Sequence, residues 1–339
     1  MNQITSVRGI RRSDLPSVAV PRVDMTTQIG SLVLPSPVLT AAGCAGSGRE
    51  IDGFVDLAAI GAVTTRSVTL RARAGEPTPR AVETSSGMVS AVGLQNQGLD
   101  RFLERDLAWL EQRGARIIVS IAGSTVDEYA KVAQRLRSSG GFDAVEVNLG
   151  CPNGDADGAA FGSDAETAAA VVQAVRRHTD TRVPTIAKLT PDVTDIVSIA
   201  RAVDRAGADA LTLIHAPGGM VIDVNTMRPG LGGVLGGLSG PAIRPIAVRC
   251  VWQVRAALPD LPIIGTGGIR TGLDALQFLM AGAQAVAIGT SIFGDPSSPM
   301  RIHRELAMAL HDRGFNSLTQ AVGVAHRRVS RDPEADDYA

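Results

Sequence analysis

The chain has 339 residues, long enough to bury a large core in one big domain or two ordinary ones. Its 45% hydrophobic residues, 20% charged residues and 37 glycines are typical of a soluble α/β enzyme and exclude a disordered or fibrous chain. The 33 Lys and Arg residues nearly balance 34 Asp and Glu residues, and aromatic residues are only 3%, so neither nucleic acid nor an anionic membrane is indicated as the main partner.

The three cysteines are far apart in the sequence, at Cys44, Cys151 and Cys250. This spacing predicts neither a disulfide framework nor a metal site and indicates a reducing compartment. The first twenty residues lack the apolar stretch of a signal peptide, and no apolar run approaches the length of a membrane span. We therefore expect a cytoplasmic protein with no membrane partner.

Eight short apolar runs alternate with longer segments of helical period. Because these runs do not alternate with polar residues, they predict strands buried on both faces, as in a parallel sheet. The runs are PVLTAAG, AVTTRSVT, RIIVSIAG, AVEVNLG, TIAKLT, ALTLIHA, PIIGTGG and AVAIGTS. Capping boxes beginning at Thr125, Ser163 and Thr271 mark the starts of helices between them.

Eight repeats of strand and helix predict a (β/α)8 TIM barrel over residues 29–325. The competing arrangement, a doubly wound open sheet, is disfavoured because no GxGxxG motif follows the first strand. Residues 1–28 are predicted to form a polar N-terminal extension and residues 326–339 a charged, flexible tail. A long Gly-rich insertion follows the sixth strand, and loops of that length usually carry function.

Polar side chains end five of the predicted strands. They are Arg66, Ser120, Cys151, Lys188 and His215. In a TIM barrel the active site lies at the carboxyl ends of the strands. We therefore expect these five side chains to converge on one mouth.

The last two strands end in Gly-Thr steps that indicate a phosphate site. Backbone N–H groups of Gly265, Gly267, Gly268, Gly289 and Thr290 can approach a phosphate there, where barrels frequently bind one. The alternative interpretation is that these glycines only form tight turns. Phosphate alone identifies no cofactor, because non-redox barrels use the same site.

Lys188 and Cys151 each admit more than one interpretation from the residues alone. Lys188 lies in an apolar strand and fits a structural ion pair, a cation beside an anionic ligand, or a Schiff-base lysine. A cysteine is often a buried filler, but Cys151 lies at the catalytic end of a strand, between Asn148 and Asn153. That context makes a poised thiol the competing interpretation.

The segment NLGCPNGDADGAAFGSDAE resembles the active-site loop of class 1 dihydroorotate dehydrogenases, which usually reads N-[IL]-S-C-P-N. The resemblance continues through PRAVETSSGMVSAVGLQNQG, IAKLTPDV, GGLSGPAIRPIA, IIGTGGI and IGTSIF, and so spans almost the whole barrel. The GLQN and GGLSGPAI segments are most similar to subclass 1B. Each motif is weak alone, and together they are highly specific.

The resemblance implies bound FMN and an enzyme of pyrimidine biosynthesis that removes two electrons from a CH–CH group. In such enzymes the loop cysteine takes a proton from C5 of dihydroorotate while hydride passes from C6 to flavin N5. Carried over, Cys151 is the general base and Lys188 neutralises the reduced flavin. The remaining flavin contacts implied are Ala41, Gly43, Arg66, Ser120, Asn148, Gly237, Gly240, Gly267, Gly268, Gly289 and Thr290. The substrate contacts implied are Arg66, Ser90, Gly93, Leu94, Asn148, Asn153 and His215.

The chain departs from the family pattern mainly at the wall that recognises the pyrimidine ring. Ser90 and His215-Ala216 replace residues that are usually Asn and Asn-Thr or Asn-Ser. Arg66 replaces the usual lysine, Ser120 an asparagine, and Gly150 the serine before the cysteine. Since a site that hydrogen-bonds one ring discriminates strongly, we expect weaker orotate binding unless His215 and Arg66 compensate. A related cyclic substrate is the corresponding hypothesis.

Three alternatives remain open at this point. A dihydropyrimidine dehydrogenase has a similar flavin domain, but its loop typically reads S-C-P-H, whereas Asn153 is present here. A non-redox phosphate-binding isomerase or lyase would use Lys188 as acid, base or Schiff-base former. A degenerate subunit would bind FMN without turnover, which intact Cys151 and Lys188 argue against. The resemblance also implies a homodimer and a partner subunit that carries FAD and a [2Fe–2S] cluster.

Overall fold

Eight parallel strands form the central sheet of the computed structural model, which describes residues 22–151 and 160–329. The strands of the described residues are, in chain order, β1 (Thr27–Ile29), β2 (Leu32–Leu34), β3 (Val38–Thr40), β4 (Val63–Thr64), β5 (Ala81–Thr84), β6 (Gly87–Ser90), β7 (Ile117–Ile121), β8 (Ala144–Asn148), β9 (Thr185–Leu189), β10 (Ala210–Leu213), β11 (Gly218–Gly219), β12 (Ile222–Asp223), β13 (Arg228–Pro229), β14 (Gly236–Ser239), β15 (Ile263–Thr266) and β16 (Ala285–Ile288).

Helices lie between the barrel strands and after the last one. They are α1 (Leu99–Arg101), α2 (Ala108–Gln112), α3 (Val126–Ser139), α4 (Ala165–His178), α5 (Ile196–Arg205), α6 (Arg244–Ala257), α7 (Gly272–Met280), α8 (Ser291–Gly294), α9 (Ser298–His311), α10 (Leu318–Ala321) and α11 (Val324–Val329). A π-helical segment, Phe102–Leu107, joins α1 to α2. No helix of the described residues is long and apolar enough to cross a membrane.

The barrel strands follow the order β3, β16, β15, β10, β9, β8, β7, β4, so the sheet closes between β3 and β4. Thr40 makes that closure, because its N–H donates to the Ala62 carbonyl at 3.2 Å and its hydroxyl accepts from the Thr64 N–H at 3.0 Å. All eight predicted strands are present, which confirms the (β/α)8 barrel. The prediction succeeds because strands buried on both faces leave continuous apolar runs in the sequence.

Buried hydrophobic side chains pack against both faces of the barrel sheet. The larger cluster packs strands against helices, and a smaller cluster fills the barrel interior below the mouth. Ile29 and Leu34, from the β1–β2 hairpin, belong to this inner cluster and are fully buried. The hairpin therefore closes the amino-terminal end of the barrel, and the opposite end remains open for a site.

The two predicted domain boundaries fall within regular structure. Residue 28 lies in β1, and residue 326 lies in α11. The structure does not describe residues 1–21 and 330–339, so the N-terminal extension and the flexible tail remain predictions.

The Gly-rich insertion after β10 is more ordered than the loop predicted from its composition. It contributes β11 and β14, which extend the β5–β6 hairpin into a four-stranded antiparallel sheet. Ser90 pairs with Gly237 in this sheet. Two distant parts of the chain thus form one cover beside the barrel mouth, a pairing that no local pattern specifies.

The predicted helix starts are right at two of three positions. Thr271 and Asp274 form the expected reciprocal capping box, and the Thr125 hydroxyl accepts from the Glu128 N–H. The start at Ser163 is wrong, because α4 is capped by Asp164, whose carboxylate accepts from the Thr167 N–H at 2.8 Å. The correction has a simple cause: aspartate is itself a strong N-cap residue, one position later.

Candidate active site

A cavity of about 1740 Å³ opens at the carboxyl ends of the barrel strands, beneath the antiparallel cover. The sequence-predicted site residues that line it are Ala41, Gly43, Arg66, Ser90, Gly93, Leu94, Asn148, Cys151, Lys188, His215, Gly237, Gly240, Gly267, Gly268, Gly289 and Thr290. Gly150 and Ala216, two positions at which the chain departs from the family pattern, also line this cavity. Nearly all of the predicted site residues therefore line one cavity at the mouth of the barrel, as expected.

Three predicted site residues do not appear among the cavity walls. Gly265 lies within β15, where it pairs with Leu213 and Val286 in the neighbouring strands. Ser120 is fully buried, and its hydroxyl lies 2.9 Å from the Ser67 hydroxyl. Because Ser67 in turn accepts a hydrogen bond from the Asn148 side chain at 2.9 Å, Ser120 acts on the site through these two residues. Asn153 lies outside the described residues, so its proposed contact with substrate stays a prediction.

Asn148 ends β8 and holds the start of the cysteine loop. Its Oδ1 accepts from the backbone N–H groups of Gly150 and Cys151, both at 3.2 Å. Its Nδ2 donates to Ser67, which leaves the second hydrogen of that amide available for a ligand in the cavity. Tyr129 donates its hydroxyl to the Asn148 carbonyl at 2.7 Å. The asparagine therefore fixes the backbone from which the Cys151 thiol projects.

The Cys151 thiol is a weaker acid here than an exposed cysteine. Burial raises the pKa of Cys151 to about 11, while the cations Arg73 and Lys188 pull it down and Glu76 pushes it up. A thiol that must accept a proton works only as the thiolate. The base is therefore more active the higher the pH, up to about that pKa.

We expect the rate of substrate oxidation to increase with pH between 7 and 9. In that range the thiolate fraction of a group with this pKa rises about tenfold per pH unit. The measurement is the anaerobic single-turnover rate of flavin reduction at saturating substrate across the range. A rate that is constant or falls with pH would exclude the Cys151 thiolate as the rate-limiting base.

Lys188 projects from β9 into the cavity and is 6% exposed. Among the described residues its ammonium group has neither a hydrogen bond nor an ion pair. Burial of an unpaired cation is costly unless a ligand compensates. The geometry therefore disfavours the structural ion pair and favours a cation that waits for an anionic group in the cavity.

The far end of the cavity presents free backbone donors. Within the described residues, no acceptor meets the N–H groups of Gly268 and Thr290. Gly268 has φ +71°, and a Cβ there would lie 2.7 Å from the Gly240 carbonyl oxygen, so only glycine fits this close approach. Unpaired N–H groups in a Gly-rich loop after the last two strands form a suitable phosphate cradle.

His215 packs directly on the cysteine loop. A Cβ built on Gly150 would lie 2.5 Å from His215 Cβ, so a serine at position 150 fits only if the loop or residue 215 shifts. Burial, and to a smaller extent the Lys188 charge, lowers the pKa of His215 to about 3, so the imidazole is neutral at physiological pH.

We expect His215 to make the protein less stable toward acid. The pKa of His215 is about 3 in the folded protein and near 6.5 in the unfolded chain. The contribution of this histidine to the free energy of unfolding is therefore fully present above pH 6.5 and is lost as the pH falls from 6.5 toward 3. The melting temperature of the apoprotein, compared with that of His215→Asn between pH 7.5 and 4.5, measures this. The advantage of the wild type over the variant should shrink as pH falls; a constant difference would contradict it.

Sequence reasoning missed the residues that support the site from below. Ser67 links Ser120 to Asn148, and Glu146 and Thr212 form a buried pair inside the barrel. The sequence could have indicated Glu146, because it is a single acidic residue that interrupts the apolar run AVEVNLG. Ser67 had none, since serine is common at strand ends and its partner is 81 positions away.

The fold and this site together define a phosphate-binding (β/α)8 barrel enzyme with a loop cysteine and a buried cation. A sequence profile described as Dihydroorotate dehydrogenase matches residues 24–310. The relatives named "Dihydroorotate dehydrogenase B (NAD(+)), catalytic subunit" include one from Desulforudis audaxviator, 50% identical over 90% of this chain and 99% of its own length. Another, from Geobacter sp. strain M21, is 46% identical over 89% of this chain and 98% of its own.

The chain belongs to the dihydroorotate dehydrogenase family, and it is most similar to subclass 1B. Members of this family are FMN-dependent oxidoreductases that act on a CH–CH group. The described residues fit FMN in two independent ways: unpaired N–H groups of Gly268 and Thr290 suit the phosphate, and the unpaired Lys188 ammonium suits the electron-rich edge of the ring.

Proposed function

We propose that this chain is the catalytic subunit of a dihydroorotate dehydrogenase of the NAD-linked type and oxidises dihydroorotate to orotate at this cavity. One observation carries the proposal: Cys151, Lys188 and the phosphate cradle lie in a single cavity, and Asn148 holds the cysteine loop in place. FMN, when bound, supplies the acceptor for the hydride that leaves C6 of the substrate.

The residues of the chain then divide the remaining work. The Cys151 thiolate takes the proton from C5, so that the C5–C6 double bond forms as the hydride leaves. Lys188 provides positive charge beside the ring that becomes electron-rich. Asn148 fixes the backbone of Cys151 and offers its remaining amide hydrogen to the substrate.

The wall opposite the cysteine uses different groups from those usual in the family. His215, neutral because of its lowered pKa, can donate one hydrogen bond and accept another, as an asparagine amide can. Arg66 lines the cavity, where it donates to the Gln95 carbonyl at 3.2 Å and forms an ion pair with Glu50 at 3.9 Å, and its remaining N–H groups can bind a substrate carboxylate. Ser90, Gly93 and Leu94 complete the wall. These contacts are the basis on which we propose that orotate is still recognised.

The relatives are named as catalytic subunits, and this supports a proposal about a partner. A catalytic subunit named with NAD(+) works with a second subunit that passes electrons on, and we propose such a partner, carrying FAD and a [2Fe–2S] cluster, for this chain. We also propose a cytoplasmic homodimer. Size-exclusion chromatography with light scattering, with and without the partner subunit, tests both assemblies.

The decisive experiment is anaerobic reduction of the purified protein by a panel of dihydropyrimidines. We expect dihydroorotate to bleach the flavin spectrum and dihydrouracil to leave it unchanged. Bleaching by dihydrouracil alone would assign the protein to the dihydropyrimidine dehydrogenases, for which the changed wall at Ser90 and His215 is the favouring observation. A colourless protein that cannot be reconstituted with FMN would exclude both activities.

A further inference from the structure

Glu146 is a buried carboxylate that the proposed reaction does not use. It lies on β8, two residues before Asn148, and is 3% exposed. Its Oε2 accepts a hydrogen bond from the Thr212 hydroxyl at 2.9 Å, and its Oε1 has no partner among the described residues. A carboxylate in such surroundings is costly unless an opposite charge is near.

The strand register shows where that opposite charge lies. Glu146 pairs with Ile186 across β8 and β9, and Thr212 pairs with Lys188 across β10 and β9. The hydrogen bond from β10 to β8 therefore crosses the inner face of β9 between Ile186 and Lys188. The carboxylate lies just below the Lys188 side chain, on the side away from the mouth.

The hydrogen bond with Thr212 holds the Glu146 carboxylate away from the Lys188 ammonium. Thr212 binds one carboxylate oxygen from the far side of β9, and no ion pair is formed between Glu146 and Lys188. The Lys188 ammonium thus remains directed to the cavity while an opposite charge lies beneath it. Opposite charges in a protein interior attract one another without direct contact.

We propose that Glu146 is the internal counter-charge of Lys188 and a positioning residue of the flavin site. It places an opposite charge beneath the Lys188 ammonium, and its hydrogen bond with Thr212 keeps it from capturing the ammonium that the cofactor needs. The part that concerns flavin depends on the proposed function. The part that concerns the pair itself depends only on the fold.

The pair is tested in the apoprotein by a double-mutant cycle with Glu146→Gln, Lys188→Met and the double variant. Each single variant should melt below the wild type, because it leaves one buried charge uncompensated. The double variant should melt above the temperature that the sum of the two single losses gives. Additive losses would overturn the proposal, whether or not the protein binds FMN.

A lysine-specific readout covers the case in which a variant folds poorly. The chain has two lysines, Lys131 and Lys188, and the exposed Lys131 forms its own ion pair with Asp127. In protein labelled with ¹³C-lysine, the ε-methylene signal of Lys188 should shift in Thr212→Val, which releases the carboxylate. The signal of Lys131 should not move. A Lys188 signal identical in wild type and Thr212→Val would contradict the arrangement.

The effect on the cofactor is tested by the midpoint potential of bound FMN. Loss of a negative charge below the site makes reduction easier, so Glu146→Gln should shift the potential to more positive values. Thr185→Val is the matched control, since Thr185 is a fully buried neighbour on β9 whose hydroxyl also lacks a partner. A shift of equal size in the control would reduce Glu146 to a structural role.

Discussion

Replacement of Cys151 by alanine should leave a yellow protein that its substrate no longer reduces. The thiolate is the proposed acceptor of the C5 proton, and loss of a positioned general base typically lowers a rate about 10²–10⁴-fold. The flavin should remain bound, because the phosphate cradle and Lys188 lie on other strands. Stopped-flow reduction by dihydroorotate under anaerobic conditions measures the effect, with FMN content determined from the visible spectrum.

Cys250→Ala is the matched control for this variant. Cys250 is a buried cysteine of α6 and lies outside the cavity walls, so its loss should change stability and not the rate of reduction. Cys151→Ser should resemble Cys151→Ala near neutral pH, since a serine hydroxyl is a far weaker acid than a thiol. Undiminished reduction of Cys151→Ala would remove this residue from the mechanism and return it to the role of a buried filler.

Gly150→Ser, which restores the residue usual in the family, should damage this protein. The new Cβ would lie 2.5 Å from His215 Cβ and 2.6 Å from its Cγ, and neither atom is the flexible end of a side chain. Overpacking of this kind costs about 1–3 kcal/mol. Because the clash displaces the loop that carries Cys151, a misplacement of 1 Å would lower the rate of flavin reduction about 10²-fold.

A second substitution distinguishes this clash from a general intolerance of the loop. In Gly150→Ser/His215→Gly both of the contacting atoms, Cβ and Cγ of His215, are removed, so the melting temperature and FMN content should return toward the values of His215→Gly alone. Gly53→Ser is the control, because a Cβ at Gly53 meets no atom within 4 Å. If Gly150→Ser melts like the wild type, or if the double variant is not rescued, His215 and Gly150 are not coupled.

The sequence predicted the barrel well and the chemistry of its mouth in part. Continuous apolar runs specify strands buried on both faces, and Gly-Thr steps at the last two strands specify the phosphate cradle. The places of Cys151 and Lys188 at strand ends predicted that they lie at the mouth, but their roles were left open by the residues alone and came from the resemblance to the family. For the strands and the Gly-Thr steps the signal is local, so a single segment predicts each one.

The sequence did not predict which side chains contact one another across the barrel. Ser120 was expected to face the cofactor, yet it is buried behind Ser67, because the side to which a strand-end residue points depends on the twist and closure of the sheet. Whether Lys188 was paired was also open. Only the packed barrel shows its ammonium free above the bond between Glu146 and Thr212.

The sequence by itself therefore determined the barrel, the reacting groups and the end of the barrel at which they meet. Only the tertiary structure decided how those groups are held: Asn148 is bound to Ser67, His215 packs against Gly150, and Glu146 is bound to Thr212. The physical reason is distance along the chain. Periodicity and turn residues act over a few positions. The contact of His215 with Gly150 and the hydrogen bond of Glu146 with Thr212 each join residues more than sixty positions apart, and only the packed barrel brings them together.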